Sequence, residues 1–171
     1  MDKKEIDGLW DYLRQVHGVG LRAVASIPAD KLDAHPIPNM RTPKELVLHM
    51  YSLVRDLPAG VARGEVTEAD ATKAVAEIKD RAGLLRFCEE AWQAGNRAAA
   101  ALTPAQIDGM VKTPWGGDFP GFIIIKILHD EYWHHRGQLY CYLRALGVEP
   151  VMLYDFEGNA PEYRPKAMHG A

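Results

Sequence analysis

Apolar residues recur every three or four positions along most of this chain, the interval that gathers them on one face of a helix. Over residues 3–26 the stripe is Ile6, Trp10, Leu13, His17, Leu21 and Val24. A second helix is expected over residues 43–57. Thr42 serves as its N-cap, Pro43 takes the first helical position and Glu45 closes a capping box. A third is expected over about residues 74–102, facing inward with Ile78, Leu85, Cys88, Trp92 and Ala99, and ended by Thr103-Pro104. A fourth runs over about residues 119–146 and stops at Gly147, a residue suited to the left-handed position after a helix. The connections are long. The first carries Pro28, Pro36 and Pro38, and the second is punctuated by Pro58, Gly60 and Gly64. Residues 111–121, with Pro114, Trp115, Gly116, Gly117 and Pro120, read as a loop holding a short extended piece. Trp115 either walls a pocket at the end of the fourth helix or plugs the end of the core. Residues 148–171 form an irregular tail. The pattern predicts an all-α fold, a four-helix bundle in one domain over residues 1–171, with connections long enough for crossovers.

The fourth stripe is not purely apolar. Ile124, Leu128, Leu139, Tyr142 and Leu146 share it with Glu131 and His135, one helical turn apart. Burying an acid and an imidazole in mid-helix is costly, so the pair is kept either as a satisfied ion pair or around a cation. In the second helix His49 lies on the side of Leu46 and Leu53. Together the three make a two-histidine, one-carboxylate set with a coordination position left over, the pattern of a catalytic divalent-metal site more than a closed structural one. His129 and His134 fall outside the stripe. His17 lies on an inner face and reads as a core or supporting residue. Tyr132, Gln138 and Tyr142 are candidate catalytic or pocket groups, with core padding as the ordinary alternative. Arg136 falls off the stripe, where an acid on the helix surface or a partner chain would pair with it.

These residues resemble the DinB/YfiT-like superfamily of metal-binding four-helix bundles. The likeness rests on Glu45-Leu46-Val47-Leu48-His49 and on His134-His135-Arg136-Gly137-Gln138-Leu139. It continues through Tyr140 to Pro150 and the tail Leu153-Tyr154-Asp155-Phe156. The resemblance implies three metal ligands, which fall on His49, Glu131 and His135. At the middle one a glutamate stands where the family usually has histidine. The resemblance also implies thiol chemistry: relatives include S-transferases that use low-molecular-weight thiols and a thiol-dependent maleylpyruvate isomerase. A homodimer is implied as well, for which Trp133 and Ile125 offer apolar surface outside the main stripe.

Composition narrows the remaining choices. A chain of 171 residues, 47% hydrophobic, suits one core. The net charge of −3 without a basic block argues against nucleic acid, which requires clustered cations. Cys88 and Cys141 are too few for a disulfide scaffold, and both are expected as buried free thiols in a reducing compartment. The N-terminus lacks the pattern of a signal peptide. The apolar run at residues 119–128 is too short and too interrupted to span a bilayer. A cytoplasmic protein without membrane partners is expected. Glu131-Tyr132-Trp133-His134 matches the Glu-x-x-His unit of di-iron bundles, but no second unit occurs. Nucleophile-elbow and phosphate-loop motifs are absent. The expected function is that of a metal-dependent enzyme acting on a small molecule, a small-thiol S-transferase in the first instance, with Zn, Ni, Fe or Mn as its divalent transition metal. A metal-dependent hydrolase and a non-enzymatic dimer or binding module are the alternatives.

Overall fold

The computed structural model describes residues 1–67 and 75–166. It is mostly helical. Four long helices, α1 (Lys3–Ala25), α2 (Pro43–Arg63), α3 (Arg81–Ala100) and α5 (Gly121–Ala145), are joined by a short α4 (Pro104–Asp108) and a β-hairpin, β1 (Met110–Thr113) and β2 (Gly117–Pro120). Helix α2 packs against α3 and α5, and α1 against the same two. The core between them is lined by Ile6, Leu13, Val54, Leu84, Trp92, Leu128 and Leu139 among others. No helix among the described residues is long and apolar enough to cross a membrane.

The cap of α2 forms as its sequence requires. Thr42 Oγ1 accepts from Glu45 N–H at 3.2 Å, and Glu45 Oε2 accepts from Thr42 N–H at 2.8 Å. Since α2 carries His49, this box sets where the imidazole emerges. Thr42→Ala should cost about 1 kcal/mol in denaturant unfolding. A loss below a few tenths would show that the cap contributes nothing.

Several boundaries differ from the sequence reading, each for a local reason. Helix α2 passes through Pro58 and Gly60 to Arg63 and ends at Gly64, whose φ of 79° is left-handed. Proline removes only the bond that Val54 C=O would accept within the helix, and that carbonyl faces Gly95 of α3. Residue 74 lies outside the described residues and 75–77 are helical, but the chain then breaks, and α3 starts at Arg81 because Asp80 caps it by accepting from Gly83 N–H at 2.7 Å. Leu84 therefore faces the core, and Leu85 is only partly buried. The loop at 111–121 is an antiparallel hairpin pairing Val111 with Phe119 and Lys112 with Asp118, so the fold carries a small sheet that an all-α expectation lacks. Its pairing consumes Phe119 and Pro120, and α5 starts after them.

Three burial expectations are corrected. Cys88 is buried, but Cys141 is exposed. Ile125 is 1% exposed and belongs to the core, so it offers no surface to a second copy. Arg136 is buried too, with its guanidinium 3.9 Å above the Trp133 ring and no ion pair to an acid among the described residues. Because α1, α2, α4, the hairpin and α5 itself share one core, α5 buries more than the single stripe its periodicity suggests. The tail packs back onto α1: Asn159 donates to Gln15 C=O at 2.9 Å, and Tyr163 is buried with its hydroxyl on Glu89. Residues 167–171 of the expected tail lie outside the described residues.

Candidate metal centre

Helices α2 and α5 bring His49, Glu131 and His135 together, with one potential ligand atom from each, all within 4.8 Å of one another. The His49 and His135 rings lie 4.7 Å apart and nearly perpendicular. His135 is 4% exposed, while the Glu131 side chain is 43% exposed, so the group is closed on the core side and open at the carboxylate.

The hydrogen bonds around His135 decide what this cluster can do. Its Nδ1 is 2.8 Å from Gln138 Oε1. An amide oxygen only accepts, so Nδ1 carries a proton, and in the neutral ring this leaves Nε2 with a lone pair. Nε2 stands 3.1 Å from Glu131 Oε2, yet it is buried without hydrogen-bond geometry to any partner. The distance alone suggests an ion pair. The tautomer and the failed geometry argue that two acceptors face each other, an arrangement a cation between them relieves. These donors, two imidazoles and a carboxylate, fit a divalent transition metal.

His49 is prepared to stay neutral. Burial first, then the Arg41 guanidinium and His135, push its pKa down from 6.5 to about 4, against the opposing pull of Glu131. In the metal-free protein a depressed imidazole pKa means that the unfolded chain takes the proton first. The resulting stability is fully present above about 6.5 and is lost as pH falls towards about 4. Thermal melts of chelated protein between pH 8 and 4 should therefore show wild type losing ground to His49→Gln across that window. Parallel curves would mean the ring titrates as in free solution. For metal binding, the affinity loss expected near pH 6 from free imidazole is displaced to lower pH as far as His49 is concerned.

Other candidates are placed as follows. His129 accepts from Trp133 Nε1 at 2.6 Å, and His134 is exposed; neither joins the cluster. His17 is wholly buried, stacked on Trp92 at 4.5 Å with Nδ1 3.0 Å from the Tyr51 hydroxyl. Tyr132 is a core residue whose hydroxyl lies 3.2 Å from that of Tyr51, tying α5 to α2. Gln138 supports His135, as described, and Tyr142 is buried nearby. A cavity of about 360 Å³ opens on the cluster, lined by His49 and Glu131 together with Leu53, Leu57, Trp115, Phe119 and Ile127. Trp115 thus walls a pocket; it does not plug the core. The roles of Leu57, Phe119 and Ile127 carry no signal in the chain, because two of them come from the hairpin end and the outer flank of α5. Arg41 was also missed. Only its place just before the α2 cap, eight residues from His49, hinted at it.

The model of the DinB family matches residues 1–163, and the chain belongs to that family. Among solved structures, the chain is similar to the DinB-like protein YjoA of Bacillus subtilis. The TM-score is 0.69 at 18% identity, and the match covers 86% of this chain and 96% of that one. At that identity the likeness concerns the fold. No curated protein matches.

Proposed function

We propose that this protein is a divalent-metal-dependent enzyme that transfers a small thiol to an electrophilic substrate, with His49, Glu131 and His135 holding the ion within a four-helix bundle. The observation that carries the reading is the buried, unpaired Nε2 of His135 facing Glu131 at the mouth of an apolar cavity. Zn, Ni, Fe and Mn all suit the donor set. A bound cation would supply Lewis acidity, favouring the deprotonated form of a thiol or water that reaches the open side.

The chain's own residues account for the rest. Gln138 Oε1 fixes the His135 tautomer. Glu131, half in solvent, has a second carboxylate oxygen free to take the proton an incoming thiol releases. Leu53, Leu57, Phe119 and Ile127 exclude water and accept an apolar electrophile, and Trp115 offers a flat wall for it. The same Glu131 oxygen would serve a water nucleophile, and this favours hydrolysis as the second reading.

Untagged protein should retain about one equivalent of metal. Loaded protein should turn over an electrophilic aryl halide with at least one cellular thiol, and Glu131→Ala should slow it by roughly 10²-fold. Hydrolysis of an ester with no thiol turnover would replace the transferase by the hydrolase. Inactivity of fully loaded protein towards both would favour a binding module.

A further inference from the structure

A second cavity, of about 330 Å³, lies on the other side of Gln138, between the loop that precedes α2 and the C-terminal half of α5. Asn39, Met40, Arg41, Leu46, Gln138 and Tyr142 line it. Its polar groups are mismatched in one direction. Tyr142 is 1% exposed and its hydroxyl is buried with no hydrogen-bond partner, a costly state that folded proteins seldom leave uncompensated. The Gln138 oxygen is taken by His135, which leaves its amide N–H groups to donate. Arg41 makes no hydrogen bond or ion pair among the described residues, although its charge reaches both His49 and Tyr142. The acid that also acts on Tyr142 is Glu45, and its carboxylate is engaged by Thr42 N–H in the cap. Asn39, with a φ of 62°, turns the loop so that Arg41 reaches the cavity.

We propose that this cavity is a carboxylate-binding subsite anchored by Arg41, Tyr142 and the Gln138 amide, and that the protein's thiol cosubstrate is accordingly an acidic one. The inference rests on the thiol-transfer reading for its second half only. Apart from the Asn39 amide, which offers a donor and an acceptor, three donor groups and no acid line the cavity among the described residues, so its occupant must bring acceptors. A single guanidinium offering a planar fork matches two coplanar oxygens of one negative charge better than a dianion. The Gln138 side chain has one end on His135 and the other in the cavity. Through Gln138 the cavity adjoins His135, so the carboxylate of an acidic thiol bound there would lie beside the candidate ligand cluster.

The first test uses neither metal nor thiol. Metal-free protein is titrated with butyrate and with butyramide while the side-chain N–H resonances of Gln138 and Arg41 are followed by NMR. Butyrate should shift both and butyramide neither, and Arg41→Ala and Tyr142→Phe should each weaken butyrate binding at least tenfold. Arg41 is exposed, so its variant should fold normally. Tyr142→Phe should raise the melting temperature of the ligand-free protein, because it removes an unpaired hydroxyl. A purely structural tyrosine would give the opposite sign. Equal shifts with butyrate and butyramide, or no response to the two substitutions, would overturn the subsite. Tighter Arg41-dependent binding of inorganic phosphate would overturn the assignment to a carboxylate. The second test loads the protein with metal and compares N-acetylcysteine with its amide. At least tenfold tighter binding of the acid, lost in Arg41→Ala, is expected. A subsite that passes the first test while neither thiol binds the loaded protein would sink the thiol reading and leave the carboxylate site standing.

Discussion

Replacing His135 by alanine should strip the protein of most of its metal, and replacing His49 should do the same. Both rings belong to the only group of three potential ligands found among the described residues. Neither can be substituted locally: His134 is exposed, and His129 is turned to Trp133. Loss of a supporting hydrogen bond to a ligating histidine typically costs 10–100-fold in affinity, so Gln138→Ala sets the lower scale and loss of a ligand should exceed it. The effect on stability follows by mass action. At a hundredfold excess over Kd, metal should stabilise wild type by about 2.7 kcal/mol, and the His135 variant should gain almost nothing. Metal content after dialysis, together with melts at matched metal concentration, checks both statements. His129→Ala and His134→Ala should keep their metal. If the His129 variant is stripped as completely as the His135 variant, the cluster is not the site.

Gly95→Ala should be the most damaging single-methyl change in the protein. A Cβ on Gly95 would overlap the Val54 carbonyl oxygen and stand 3.0 Å from its carbon. That oxygen is the acceptor left without a helical donor by Pro58, so α2 and α3 meet backbone to backbone here, in the manner of a Cα–H···O contact. Backbone cannot rotate away as a side chain can, so the helices must separate. A loss of about 3 kcal/mol is expected, at the upper end for overpacking. Because α2 also carries His49, the variant should bind metal more weakly even where it remains folded. Urea unfolding gives the first quantity and metal titration the second. A loss under about 1 kcal/mol would mean the two helices can shift without penalty.

The candidate ligands were legible in the chain because helical periodicity is a local property. Glu131 and His135 sit a turn apart whatever surrounds them, and the Thr42–Glu45 box fixes the phase of His49 within its own helix. Periodicity reports only which face is buried and assumes one buried face. Helix α5 violates that assumption, with neighbours on several sides, and this is why Arg136 and Ile125 are buried despite lying off the stripe. The hairpin was visible only as turn residues, since four-residue strands are too short to show alternation.

Sequence alone therefore determined the helical class, the α2 cap, and the three residues that could hold a metal, because each depends on spacing within a few turns of chain. Tertiary structure alone decided that His49 meets Glu131 and His135, that Trp115 walls a cavity beside them, and that Arg41 and Tyr142 share another across Gln138. Those facts join residues more than 60 positions apart in the chain: His49 with Glu131, His49 with Trp115, and Arg41 with Tyr142. No local propensity encodes such distances; they are set by how close two helices can pack, down to the missing side chain of Gly95.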